Sequence, residues 1–264
     1  MSERRQLINL AYRLLGSLAE AEDAVQEAYA RWYALTPQQR QVIENPGAWL
    51  TTVASRFCLD LLRSARARRE RYVGEWIPEP LPEPAEWAGG QPGGPTDPAD
   101  RVTLDESVSM AFLVVLESAT PAQRVAFILH DVFGYPFTDV AEITGRTPAA
   151  CRQLATSARR RLRAAHASPS RAVGVTMIAD GGGVVSAALR PVEGAEQVAR
   201  HAVDIASRAA GLTLLERTVN GQPGLVAQQD GVTVTVFAFD VAGDRITHIW
   251  AVRNPGKLGP WSAR

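Results

Sequence analysis

Through the first part of the chain apolar residues recur at three- and four-residue spacing; beyond Ala172 the repeat shortens towards two. Leu7, Leu10, Ala11, Leu14 and Leu15 mark a first helix that Gly16 ends, and Ser17 with Glu20 reads as a capping box for a second. On the second helix Leu18, Ala21, Val25, Ala28 and Trp32 form the inner face, which leaves Glu20, Asp23 and Glu27 together on an exposed stripe. Asn45 as cap and Pro46 in the first turn start another helix, with Trp49, Leu50, Val53, Phe57 and Leu61 as its apolar stripe. Val140, Ala141 and Ile143 line a short helix stopped by Gly145. Thr147 then caps a longer one, with Pro148 in its first turn and Cys151, Ala155, Ala158 and Leu162 at core positions. In the tail, residues 173–178, 184–189, 212–219, 232–239 and 246–252 read as strands, and 195–210 as an amphipathic helix.

Residues 73–103, crowded with proline and glycine, sustain neither repeat and read as a linker. The expected division is therefore a helical domain over 1–72, the linker, a second helical domain over 104–166, and an α+β domain over 172–264. No apolar run approaches membrane-spanning length and the N-terminus lacks the apolar block of a signal peptide, so a cytoplasmic protein with no membrane partner is expected. The two cysteines, Cys58 and Cys151, fall at apolar helical positions and read as reduced core residues; no metal or cofactor is expected.

Charge changes the picture through its distribution. Arginine plus lysine and aspartate plus glutamate number 28 each, a neutral sum, yet Arg63, Arg66, Arg68, Arg69 and Arg71 form one basic cluster and Arg159, Arg160, Arg161 and Arg163 another. Screening makes such fields local, so a basic stripe inside a neutral total still meets phosphate. Five arginines at the end of one helix exceed what solubility asks. The helix pair around Gly145 has the spacing of a helix-turn-helix. Outward on its second helix lie Ala149, Ala150, Arg152, Gln153, Thr156, Arg159, Arg160 and Arg163, with Arg146 and Thr147 at the entry. Arginine and glutamine reach guanine and adenine edges, small alanines allow close approach, and the later arginines suit phosphates. Lys257 is the only lysine, so arginine is the default cation and its choice over lysine at any one site is uninformative.

Three motifs in order then carry a resemblance. AYRLLGSLAEAEDAVQEAYARW, NPGAWLTTVASRFCLDLLRSARARRER and TPAQRVAFILHDVFGYPFTDVAEITGRTPAACRQLATSARRRLR resemble regions two and four of extracytoplasmic-function (ECF) sigma factors of the sigma-70 family. GEWIPEP, ADGGG and RNPGKL resemble marks of the subgroup with a fused SnoaL-like cone domain, the sigma factor J type. Gly256 replaces that motif's acid, and Val184 follows the glycines where lysine is usual.

The resemblance implies a non-enzymatic factor that binds core RNA polymerase and directs promoter recognition, DNA melting and initiation. Glu20, Asp23 and Glu27 would dock on the clamp helices of the beta-prime subunit. Arg56, Asp60, Arg63, Arg66, Arg68 and Arg69 would hold the minus-ten element, and the helix after Thr147 would read the minus-thirty-five element. Trp76, Pro78 and Pro80, Asp180 to Gly183, and Asn254, Pro255, Lys257 and Leu258 would be regulatory, through contact of the C-terminal domain with the sigma domains. Rival readings are a helix-turn-helix regulator acting without polymerase and a cyclase- or isomerase-like enzyme, built on Asp180, Asp204, Asp240, His201 and His248, fused to a DNA-binding module. Only about a dozen residues separate Leu162 from the first strand, too few for the opening helices of a cone fold; either another segment covers the open sheet face or, the reading preferred here, the tail is a shortened, weakly folded remnant.

Overall fold

The computed structural model describes residues 3–69, 72–82, 108–166, 174–208 and 211–262. The chain forms two compact units. One comprises Met1–Arg68, Thr96–Thr103 and Val115–Arg163; the other Arg69–Pro95, Leu104–Val114 and Ala164–Arg264.

The first unit is helical: α1 (Glu3–Leu15), α2 (Leu18–Ala34), α3 (Pro37–Gln41), α4 (Pro46–Arg69), the end of α5 (Met110–Glu117), α6 (Pro121–Phe127), a π turn (Ile128–Val132), α7 (Phe137–Thr144) and α8 (Pro148–His166). Local chemistry sets the boundaries. Ser17 Oγ accepts the Glu20 N–H, Asn45 Oδ1 the Ala48 N–H and Thr147 Oγ1 the Ala150 N–H, each at a helix start. Thr36 with Gln39 and Thr120 with Gln123 form full capping boxes. Leu7, Leu10, Ala11 and Leu14 pack inward on α1, and Leu18, Ala21, Val25 and Ala28 on α2, as the spacing predicts. On α4 the buried stripe is turned from the expected one. Leu50, Ala54, Cys58 and Leu62 are buried, while Trp49, Val53, Phe57 and Leu61 are half-buried. The small Ala54 and Cys58 permit close helix packing, which the larger neighbours would prevent.

Arg124 ties the unit together. Its guanidinium is buried, donating to the Leu14 carbonyl at the end of α1 (2.8 Å) and to Glu117. Burial lowers its pKa to about 9, still high enough for the charge to persist at neutral pH.

The second unit is built on a six-stranded sheet in the order β2-β1-β6-β5-β4-β3. Its elements are β1 (Thr176–Asp180), β2 (Val192–Glu193), α9 (Ala195–Arg208), β3 (Leu212–Val219), β4 (Gln222–Gln229), β5 (Val232–Ala242) and β6 (Arg245–Val252). β1 runs parallel to β6; the other neighbours are antiparallel. Asn220-Gly221 and Asp230-Gly231, all at positive φ, make the two tight hairpin turns that bracket β4. Bulges at Ala227/Gln228 and Asp240/Val241 curve the sheet.

The tail departs from its expected pattern at two places. Residues 184–189 form no strand: Val184 and Val185 both donate to the Gly181 carbonyl, and Val184 and Leu189 are exposed in a looping segment. β4 was unforeseen, because Pro223 and Gly224 interrupt its pattern. Of the two alternatives for the open sheet face, the structure has the first, a face covered by other segments. Val219, Val226, Val236, Ala238, Trp250 and Val252 on the sheet pack with Ile77 from the linker, Met110 from α5, and Leu258 and Trp261 after β6. Linker and helix supply the cover that the residues between α8 and β1 are too few to form.

Candidate nucleic-acid face and linker clasp

The sharp turn at Gly145 (φ 67°) brings Arg146 N–H to the Ala141 carbonyl (3.0 Å) and sends α8 off across α7. Inside the joint, Val140, Ala141, Ile143, Cys151, Ala155 and Ala158 are buried, and Thr144 Oγ1 lies 3.3 Å from Cys151 Sγ. Outside it, Arg146, Thr147, Ala149, Arg152, Gln153, Thr156, Arg160 and Arg163 are exposed, while Ala150 and Arg159 are half-buried. This is the geometry of a recognition helix: an apolar rear locked by small residues and a front of arginine, glutamine and alanine. Two of the arginines are already engaged. Arg152 lies over the Phe137 ring, and Arg159 pairs with Asp131 through Nε at 2.6 Å.

On α4, Arg56 and Asp60 are exposed, with Arg63 donating to Asp60 at 3.1 Å. Arg56 reaches the Glu142 carbonyl at 3.0 Å and its carboxylate at 3.3 Å, and Tyr135 Oη donates to Thr51 at 3.2 Å. The helical segments before and after the linker are therefore in contact within the first unit. Arg66, Arg68 and Arg69 continue α4, but their side chains lie outside the described residues, as does Arg71. Asp23 is exposed on α2; Glu20 and Glu27 flank it half-buried, with Glu27 held by Arg31 at 2.7 Å.

The motifs of the tail and linker meet in the second unit, and the strand register explains why. Because β1 and β6 are parallel, with Asp180 opposite Val252, their ends emerge side by side. The N–H groups of Arg253 and Asn254 donate to the Asp180 carbonyl at 2.8 and 2.9 Å. The buried Asp180 carboxylate then collects four donors. Tyr72 Oη (2.6 Å) and Gly182 N–H (2.9 Å) meet Oδ1, while Ile77 N–H (3.1 Å) and Lys257 Nζ (2.6 Å) meet Oδ2. Lys257 also donates to the Ile77 carbonyl, and its ammonium lies 4.1 Å from the Trp76 ring centre. Asn254 Nδ2 donates to Tyr72 Oη (2.8 Å), and a Cβ on Gly182 would come within 2.5 Å of Asn254. Farther along, Trp261 Nε1 donates to the Pro80 carbonyl (2.8 Å), and Asn220 receives the Leu81 N–H (2.9 Å) while donating to the Val108 carbonyl (2.8 Å).

Trp76, Asp180, Gly182, Asn254 and Lys257 are thus gathered in one clasp; Pro78 and Pro80 are buried along the linker that leaves it, Gly181 and Leu258 are buried in the segments that follow Asp180 and Lys257, Gly183 packs near Val73, and Pro255 opens the turn that carries Lys257. Sequence reasoning missed Tyr72, Asn220 and Trp261. The Asn-Gly hairpin signal could have drawn attention to Asn220; Tyr72 and Trp261 carry no local signature.

An arginine-lined helix-turn-helix, a second helical module before it and a clasped linker define a DNA-binding transcription factor of modular build. Residues 1–68 match the Sigma-70 region 2 family and residues 109–162 the Sigma-70, region 4 family. The chain is 35% identical to the ECF RNA polymerase sigma factor SigJ of Mycobacterium tuberculosis, over 97% of this chain and 90% of that protein. It is 33% identical to that organism's probable ECF RNA polymerase sigma factor SigI, over 99% and 94%. The crystal structure of Mycobacterium tuberculosis SigJ superposes with a TM-score of 0.75 at 34% identity, covering 98% of this chain and 96% of the other. The chain belongs to the ECF sigma factors of the sigma-70 family, non-enzymatic factors that bind core RNA polymerase and direct it to promoters. Among the described residues no helix is long and apolar enough to cross a membrane.

Proposed function

We propose that α8 reads the upstream, minus-thirty-five promoter element in the major groove, with Arg152 and Gln153 at base edges, Ala149 and Ala150 allowing close approach, and Arg160 and Arg163 on phosphates. Arg56, Asp60, Arg63 and the arginines that follow hold the minus-ten element, Arg56 exchanging Glu142 for DNA as it does so. Asp23, with Glu20 and Glu27, docks α2 on the basic clamp helices of the beta-prime subunit. The clasp around Asp180 is the regulatory site: it holds the stretch of linker that must otherwise run free between the two promoter elements, and the protein acts in the cytoplasm. The observation that carries this reading is the exposed arginine–glutamine front of α8 set on a buried alanine rear.

Reconstitution with core polymerase tests it. Arg152→Ala should lower binding by about 1–3 kcal/mol at promoters with one particular base and little at others. Arg160→Ala should weaken all duplexes alike and reduce the salt slope by about 0.9. Uniform loss in both variants would remove the division between base and phosphate contacts. A chain that binds promoter duplex equally well without polymerase would favour an independent regulator.

A further inference from the structure

The arginines of α8 differ in what holds them, and the cause lies just ahead of the helix-turn-helix. After α6 the backbone widens into the π turn, where Phe133 N–H reaches back to the Ile128 carbonyl at 3.1 Å. Such a turn carries an extra residue and shifts the side chains it holds. Two of them, His130 and Asp131, serve α8. The His130 ring stacks on Phe137, with centres 3.8 Å apart and planes 25° from parallel, and its Nδ1 lies 2.8 Å from the Tyr135 carbonyl, which fixes the ring. Phe137 in turn carries the Arg152 guanidinium at 5.6 Å from its centre. Asp131 takes Arg159 with both oxygens, Nε to Oδ1 at 2.6 Å and a terminal nitrogen to Oδ2 at 3.2 Å. Arg152 and Arg159 stand two helical turns apart on one side of α8, so a single short segment services both.

The two engagements have opposite consequences. A ring face holds a guanidinium in place while leaving its edge donors available, so an arginine ordered beforehand loses less side-chain freedom when it meets a base. A bidentate carboxylate uses the donors and cancels the charge that a phosphate would meet. We propose that this segment sorts the cations of the recognition helix: Phe137, backed by His130, is a positioning residue that presents Arg152 for base reading, and Asp131 withholds Arg159 from the DNA backbone. The inference rests on the reading that α8 lies in the major groove, with Arg152 at a base edge.

The test uses the full-length chain with core polymerase, a pool of linear promoter duplexes randomised across the upstream element, and salt titration on one selected duplex. Arg152→Ala should lose its preference at one base position by about tenfold. Phe137→Leu, which keeps apolar bulk without the aromatic face, should flatten that same position and no other, and Phe137→Tyr should restore it. Asp131→Asn should steepen the dependence of log K on log salt by about 0.9, and adding Arg159→Ala should cancel the change. If Arg152→Ala loses the preference but Phe137→Leu keeps it, or if Asp131→Asn leaves the slope unmoved, the sorting is refuted while α8 remains the reader. If Arg152→Ala itself keeps every preference, the base-reading role fails, and the inference with it.

Discussion

Two ion pairs, one from each unit, are held in opposite ways. In the first unit, the Arg56–Glu142 pair is open to water, with 48% and 70% side-chain exposure. Such a pair adds little stability and exchanges readily for other partners. In the second unit the Asp180–Lys257 pair is 0% and 10% exposed, ringed by Tyr72, Trp76 and the Ile77 backbone. Removing either charge strands the other out of water. The Arg56–Glu142 pair is open to exchange; the Asp180–Lys257 pair is not.

Four substitutions bear on that contrast. The largest effect belongs to Asp180→Ala, which leaves the Lys257 ammonium buried without its carboxylate and should destabilise the second unit by about 3–5 kcal/mol. Urea unfolding followed by tryptophan fluorescence reads this, since Trp76, Trp250 and Trp261 all report on that unit. Ile77→Ala follows at about 2–4 kcal/mol, for a linker residue only 1% exposed in the sheet's core. A loss near zero would mean that the linker merely rests on the sheet. Lys257→Arg keeps the charge but forces a planar, bulkier group between Asp180 and Trp76, at about 1–3 kcal/mol. Glu142→Ala should shift stability by less than about 1 kcal/mol. A loss there as large as that of Asp180→Ala would erase the distinction between the two pairs.

The helical unit was legible because its signals are local: caps at Ser17, Asn45 and Thr147, a glycine stop at 145, and apolar residues a turn apart. The π turn escaped, as did the half-burial of Trp32, Glu20 and Glu27 and the rotation of the α4 stripe, where two adjacent stripes were apolar and residue size, not hydropathy, chose between them. The second unit was legible in part. β4 could have been found from the Asn220-Gly221 and Asp230-Gly231 turns that bracket it, even though Pro223 and Gly224 blur its repeat. The burial of Ile77 and Leu81 among prolines could not. They belong to no helix or named strand, and their partners lie more than a hundred positions away. The loop mistaken for a strand, 184–189, shows the converse error: apolar residues without a neighbour to pair with do not make a sheet. The clasp motifs were recognisable as marks, but their convergence depends on the parallel register of β1 and β6, which no spacing announces.

The chain's single lysine is the one buried against Asp180. Apart from the N-terminal amine, the molecule therefore offers an acylating reagent no primary amine until the clasp lets go. Reaction at Lys257, read by mass spectrometry, becomes a native stopwatch for how often the linker leaves its seat, with no label added and no residue changed.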